Sequence, residues 1–218
     1  MGPQPPRVLL VGVGGLGCPA ALELLRRGVR QLRLVDPDTV ALENLHRQVL
    51  FTDADLGRPK VEAAAAHLRA LAGDARIEAL HASFAEAQLD DVELVLEGTD
   101  DPMTKFAVND ACVARGVDCA IGGVIELRGT IVTVRRGGPC YRCVFEAPPS
   151  IFTETCAQLG VFGPAAGLVG TLLAERALGI ERDGPGALLT IDVARDRIRA
   201  LAVEPDPACP TCHLTSRA

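Results

Sequence analysis

The spacing of hydrophobic and polar positions changes repeatedly along the chain. Arg7 to Gly12 is a short β-branched and Leu-rich run ending in glycines, and Gly15 to Gly28 follows with helical spacing of Leu16, Leu22, Leu24 and Leu25. This reads as strand, glycine turn, helix. Gln31 to Asp36 alternates Leu32 and Leu34 with polar residues and ends in an acid, while Pro59 to Ala72 is an Ala-rich helix with Pro at its start. Arg76 to His81, Val92 to Glu97 and Val117 to Ile121 read as further strands, with a helix near Pro102 to Arg115 between the last two. Such alternation predicts a mostly parallel sheet covered by helices.

After about Gly122 the pattern changes. Gly129 to Arg135, Ala187 to Val193 and Arg197 to Val203 look like strands joined by short or irregular connections, which predicts an antiparallel extension of the sheet. Between them lie an irregular stretch, Gly138 to Gly160, and an apolar helix from about Gly163 to Leu178. The expected fold class is α/β: a Rossmann-like, mostly parallel sheet flanked by helices, with an antiparallel C-terminal extension. One domain over residues 1–218 is expected.

Composition narrows the function. The 218 residues are 48% hydrophobic, enough for one sizeable core. Met1 to Pro6 is Pro-rich and lacks the apolar run of a signal peptide or membrane span, so a soluble cytoplasmic protein is expected. A net charge of -6 with no run of Lys or Arg gives no footprint for nucleic acid or an anionic membrane, and leaves a protein or small molecule as the expected partner. Of 22 basic residues only Lys60 and Lys105 are lysine. A lysine inside a motif is therefore more informative here than usual.

Gly12-Val13-Gly14-Gly15-Leu16-Gly17 falls between a predicted strand and a helix, where glycines let the backbone approach a phosphate and the helix offers unpaired N–H groups. Asp36, at the end of the next strand, is placed to accept hydrogen bonds from a ribose. An NAD-dependent dehydrogenase has the same two features. The following stretch is different: Asp36-Pro-Asp38-Thr-Val40 leads to Asn44-Leu-His-Arg47-Gln48 and then to Gly57-Arg-Pro-Lys60. An amide, an Arg and a Lys converging on the sheet edge suit a triphosphate, whose charge they neutralise; the alternative for Lys60 is a surface residue at a helix start. Thr99-Asp100-Asp101 follows a strand, so its carboxylates emerge where open α/β sheets bind ligands. One can hold Mg²⁺ with substrate phosphates, and one can cap the helix beginning at Pro102.

Four of the eight cysteines form two pairs, Cys140-Tyr-Arg-Cys143 and Cys209-Pro-Thr-Cys212. That spacing is the pattern of a four-thiolate structural zinc site, built from segments near 138–145 and 207–213, with redox pairs or buried apolar cysteines as alternatives. Cys18, Cys112 and Cys119 fall in predicted turn, helix and strand and are expected in the core. Cys156 lies in the irregular stretch as Thr155-Cys156-Ala157, where it is either a reactive thiol or an incidental loop residue.

Taken together, Gly12 to Gly17, Asp36 and Asp38, Asn44-Leu-His-Arg47-Gln48, Lys60, Thr99-Asp100 and Asn109-Asp-Ala-Cys112 resemble the MoeB/ThiF/HesA branch of the ubiquitin-activating superfamily. The resemblance extends from about Arg7 to Cys212. It implies an adenylyltransferase that uses ATP and Mg²⁺ to activate the C-terminal carboxylate, usually Gly-Gly, of a small ubiquitin-like or sulfur-carrier protein, for a sulfur donor or a conjugating partner. It implies that Gly12, Gly14, Gly15, Gly17, Asp36, Asp38, Asn44, Arg47, Gln48, Lys60 and Asp100 face the nucleotide. Asp36 would bind ribose, Arg47 and Lys60 phosphates, and Asp100 would organise Mg²⁺. It further implies that the cysteine pairs hold a structural Zn²⁺, that Cys156 corresponds to a crossover-loop cysteine, and that the protein is a homodimer.

Two departures from the family pattern stand out. The family usually has Asn where this chain has Asp101, which is expected to add negative charge near the metal. Family members also carry an N-terminal helix whose Arg reaches a partner subunit's triphosphate, whereas only six residues precede the first strand here. Arg7 is too close to that strand to be an obvious substitute, so the expectation is that another Arg serves, that a partner supplies the charge, or that turnover is slow. The rival readings are adenylation of a small molecule or peptide, a non-catalytic binding module, and an NAD oxidoreductase.

Overall fold

The structure, a computed structural model, describes residues 6–148, 161–179 and 186–212. Eight strands, β1 (Arg7–Val11), β2 (Gln31–Val35), β3 (Arg76–Leu80), β4 (Leu94–Glu97), β5 (Asp118–Ile125), β6 (Arg128–Val134), β7 (Gly186–Asp192) and β8 (Arg197–Ala202), form one sheet in the order β3-β2-β1-β4-β5-β6-β7-β8. Strands β3 to β5 are mutually parallel and β5 to β8 antiparallel, as the change of pattern after Gly122 predicts. The helices are α1 (Gly17–Arg26), α2 (Lys60–Leu71), α3 (Pro102–Arg115) and α4 (Gly163–Leu178).

Alternation along the strands divides the core in two. Val8 and Leu10 of β1 pack with Leu32, Leu34, Leu94 and Leu96 under α1, α2 and α4. Leu9 and Val11 face the other way, toward Val95, Cys119, Ile121 and the α3 residues Val108 and Cys112. Successive strand side chains point to opposite faces, so a strand buried on both sides reads as a continuous apolar run. Burying each Leu contributes roughly 1.5–3 kcal/mol. Cys18, Cys112 and Cys119 are buried, as expected for core thiols; burial also pushes the Cys18 thiol up to about 12, which keeps it protonated.

One element is longer than its pattern suggests. The strand expected over Val117 to Ile121 continues to Ile125 and turns into β6 through Glu126 and Leu127, with Ile125 paired to Arg128. Gly122 and Gly123 look like a break in the sequence. In the structure a Cβ at Gly122 would stand 3.1 Å from Leu173 of α4, so this position serves the close approach of helix to sheet.

Strand β1 connects to β2 on one side, and its other neighbour, β4, begins the opposite half of the sheet. The carboxyl ends of β1 and β4 thus frame the topological switch point, where open α/β sheets place their ligand crevice.

Candidate functional site

The turn after β1 is held by close backbone contacts. Gly12 has a φ of +87°, and a Cβ there would sit 2.8 Å from Thr99 Cγ2. A Cβ at Gly17 would lie 2.0 Å from the Gly12 carbonyl oxygen, so no larger residue fits the fold-back into α1. From this turn each successive residue meets a different candidate site residue. The Val13 N–H donates to Asp36 Oδ2 at 2.7 Å. Gly14 lies against the Gln48 amide, whose Nε2 would be 3.8 Å from a Cβ at that position. Gly15 lies against Arg47, whose Cγ and Cδ would be 3.5 and 3.6 Å away.

Asp36 closes β2 and is buried. Its Oδ1 accepts the Asp38 N–H at 2.9 Å while Oδ2 takes that of Val13, and each oxygen keeps a second lone pair for a ligand hydroxyl. Burial raises its pKa above the usual carboxylate value, with the Lys60 charge and the two amide bonds opposing. Lys60, the first residue of α2, is itself buried, with Nζ 2.7 Å from Asp38 Oδ2 and 4.0 Å from Asp36 Oδ1. It is not a solvated surface lysine.

Arg47 donates to Asn44 Oδ1 at 2.5 Å and to the Glu43 carbonyl at 3.3 Å. The start of α4 backs this pair, since a Cβ at Gly163 would meet the His46 carbonyl oxygen at 2.8 Å. Gln48 is 3% exposed, and its Oε1 is buried without a hydrogen-bond partner among the described residues. A buried carbonyl left unpaired beside a glycine turn is an acceptor available to a ligand donor.

The two acids after β4 divide their roles. Asp101 caps α3, accepting from the Met103 N–H at 3.1 Å, the Thr104 N–H at 2.9 Å and the Thr104 hydroxyl at 2.6 Å. Burial works against its ionisation, but the Thr104 and Met103 bonds prevail and hold its pKa low. Its carboxylate is thus committed to the helix terminus, a role in which Asn would serve too. Asp100 is exposed and makes no hydrogen bond among the described residues.

On the face of the sheet covered by α3, the sulfurs of Cys140, Cys143, Cys209 and Cys212 all lie within 4.8 Å of one another. Cys140 and Cys209 are 3.6 Å apart and Cys143 and Cys212 3.4 Å, far beyond an S–S bond of about 2.05 Å. A tetrahedral ion with metal–sulfur bonds of about 2.3 Å spaces its ligands by roughly 3.8 Å, so this donor set fits one. The Asp206 N–H points at Cys143 Sγ at 3.4 Å, the outer contact that orients a thiolate ligand.

Several functional contacts escape the sequence reading. Lys105 stands out as one of two lysines, but nothing in its motif reveals its buried partner Glu97. Asp110 and Asn109 of α3 hold the first cysteine turn: Asp110 binds Arg142, and Asn109 Oδ1 accepts the Tyr141 N–H at 2.7 Å. Arg7 lies at the amino end of β1, remote from the glycine turn, with Asp91 at 3.7 Å. A cavity of about 480 Å³ lies there too, between Arg7, Gln31 and Arg76, at the wrong end of the sheet for the candidate residues. Cys156 lies outside the described residues.

A glycine turn closed by strand ends at a topological switch point defines the class, a Rossmann-like α/β protein with its ligand crevice at that switch. Within this class the chain belongs to the ThiF family, which matches residues 5–211. It is 37% identical to the sulfur carrier protein adenylyltransferase of Thermus thermophilus, over 94% of this chain and 81% of that one. It is 36% identical to the molybdopterin-synthase adenylyltransferase of Escherichia coli, over 94% of this chain and 86% of that one. The adenylyltransferase and sulfurtransferase MOCS3 of Anopheles gambiae is 38% identical over 97% of this chain, which spans only 50% of that longer protein. Among solved structures, E. coli MccB with ATP has the same fold, with a TM-score of 0.81 at 19% identity, over 96% of this chain and 68% of that one. No helix among the described residues is long and apolar enough to cross a membrane.

Proposed function

We propose that this chain uses MgATP to adenylate the C-terminal carboxylate of a small ubiquitin-like or sulfur-carrier protein ending in Gly-Gly. The observation that carries this reading is the convergence on one turn: Thr99, Asp36, Gln48 and Arg47 each contact a residue between Gly12 and Gly15. Relatives covered over four fifths of their length support it by name, as a sulfur carrier protein adenylyltransferase in Thermus thermophilus and a molybdopterin-synthase adenylyltransferase in E. coli.

In this mechanism Asp36 accepts the ribose hydroxyls and the amides of the glycine turn face the phosphates. Arg47 and Lys60 neutralise phosphate charge, and Asp100 supplies a carboxylate for the substrate's magnesium. A carboxylate oxygen of the carrier attacks the α-phosphorus. The bond from that phosphorus to the oxygen bridging to the β-phosphate breaks, and pyrophosphate leaves with both electrons of the bond. No side chain is consumed, because positioning and charge neutralisation lower the barrier. The acyl-adenylate is then open to a sulfur donor or a thiol, and Cys156 is a candidate for that second step.

The four cysteines are assigned a structural Zn²⁺, which closed all-sulfur tetrahedra favour. A homodimer, a cytoplasmic location and a single adenylation domain over residues 1–218 belong to the same proposal. The test is ATP–pyrophosphate exchange against a panel of Gly-Gly-ending carrier proteins. Exchange that requires one of them supports the proposal, and ATP binding with no exchange on any carrier contradicts it.

A further inference from the structure

A buried ion pair lies directly behind the Asp100 turn. Lys105 Nζ is 2.7 Å from Glu97 Oε2, 2.7 Å from the Thr99 carbonyl oxygen and 2.6 Å from the Gly122 carbonyl oxygen. All three ammonium protons are thereby committed to protein acceptors. Glu97 has no exposed surface, and its Oε1 accepts both the Thr99 N–H, at 2.8 Å, and the Thr99 hydroxyl. An apolar pair of similar volume is often no less stable than a buried ion pair, so stability alone does not explain this one.

Its geometry points to a different role. Thr99 is gripped on both sides, with its N–H and hydroxyl on Glu97 and its carbonyl on Lys105. The Thr99 carbonyl carbon is bonded to the Asp100 nitrogen, so the Lys105 contact fixes the plane of the Thr99–Asp100 peptide. Asp100 itself has no side-chain partner among the described residues, and its direction is therefore set by its backbone. The same Thr99 packs against Gly12 of the glycine turn. We propose that Lys105 and Glu97 are positioning residues that hold the Thr99–Asp100 peptide and thereby aim the Asp100 carboxylate at the magnesium of bound MgATP. This rests on the reading of the chain as an ATP-using enzyme.

The test is calorimetric ATP binding across a magnesium titration, which needs no carrier. The main variant is the double substitution Glu97→Gln/Lys105→Met, which leaves no unpaired buried charge; Glu97→Gln alone and Lys105→Arg accompany it. Melting temperature and metal content establish folding. The folded double variant is expected to bind ATP without magnesium within about two-fold of wild type, while half-saturating magnesium rises about ten-fold or more as the carboxylate is misplaced. Lys105→Arg, which keeps the charge and the donors, should restore most of the magnesium response. Unchanged magnesium dependence in the folded double variant overturns the proposal, and if that variant does not fold, Glu97→Gln decides on the same criterion. A wild-type chain that binds no ATP overturns the functional reading itself. A wild type that binds MgATP beside variants with unaltered magnesium response overturns only the positioning role.

Discussion

The Asp110 carboxylate binds the Arg142 guanidinium through two hydrogen bonds, 2.8 Å to Oδ1 and 2.7 Å to Oδ2. Oδ1 also accepts the Thr211 hydroxyl at 3.3 Å. Arg142 sits inside the first cysteine pair and Thr211 inside the second, so one side chain of α3 holds both cysteine turns. Because α3 begins next to Asp100, the cysteine cluster braces the helix that follows the candidate acids. Asp110→Ala should speed loss of the metal to a chelator and lower stability by about 1 kcal/mol, a modest value because the pair is partly exposed. Unchanged metal release would show that the cysteines hold their geometry without this clamp.

Metal analysis of protein purified without added zinc should find one zinc per chain. A metal bound only by the folded state adds its binding free energy to stability, so chelation should lower the melting temperature. Cys140→Ser, which removes a buried ligand, should do the same without chelator. A metal-free preparation that melts like the native protein would contradict the assignment.

The neighbours Asp100 and Asp101 should separate cleanly. Asp100→Ala should abolish carrier-dependent pyrophosphate exchange and leave the melting temperature unchanged, since that side chain is exposed and makes no hydrogen bond among the described residues. Asp101→Ala removes an N-cap and should cost about 1 kcal/mol of stability with much of the activity kept. Asp101→Asn keeps the cap and should be nearly silent. Equal loss of exchange in the Asp100 and Asp101 variants would refute this division.

Elements that depend on local pattern were legible in the sequence: α3 and α4 begin and end at the expected residues, and both cysteine pairs meet. The rest depends on contacts between distant segments. Nothing near Glu97 signals that its partner lies eight residues on and that the same ammonium reaches Gly122 across the sheet. The extension of β5 past Gly122 was hidden because paired glycines read as a break until α4 is seen pressed against the first of them. Asp101 was ambiguous for another reason: capping and metal binding both suit a carboxylate after a strand, and only the Thr104 and Met103 contacts decide between them.

Arg47 and Lys60 lie on different sides of the glycine turn, one over Gly15 and the other beside Asp36 and Asp38. Each charged hydrogen bond to phosphate is worth roughly 1.5–3 kcal/mol, so Arg47→Ala and Lys60→Ala should each weaken ATP use by about 10- to 100-fold in exchange assays. Lys60→Ala should also reduce stability, because it leaves the buried Asp36 without its nearest positive charge. Near-wild-type exchange in both variants would contradict the phosphate role.

Asp55 gives the fold a dependence on pH that can be read directly. It is buried, accepts from the Thr52 N–H at 3.0 Å and from Arg58 at 2.7 Å, and lies 2.8 Å from His67 Nε2 on α2. Burial would raise its pKa, but the His67 and Thr52 bonds outweigh it and hold the carboxyl below its ordinary value. The ionised form is thus favoured by folding. Its stabilisation is fully present above the unfolded carboxylate value of about 3.9 and is lost as pH falls through the lower folded value. Asp55→Asn should therefore be less stable than wild type at pH 5 and above by roughly 1–3 kcal/mol, with the gap in urea midpoint closing as the pH is taken below 4. Asp55 also anchors the loop leading to Lys60, where the Val40 N–H donates to the Arg58 carbonyl and the Lys60 N–H to that of Asp38, both at 2.9 Å. The same variant should consequently weaken ATP binding at neutral pH, though less than Lys60→Ala. A stability gap that stayed constant from pH 7 to pH 3 would mean that the Asp55 charge contributes nothing and that only its hydrogen-bonding shape matters.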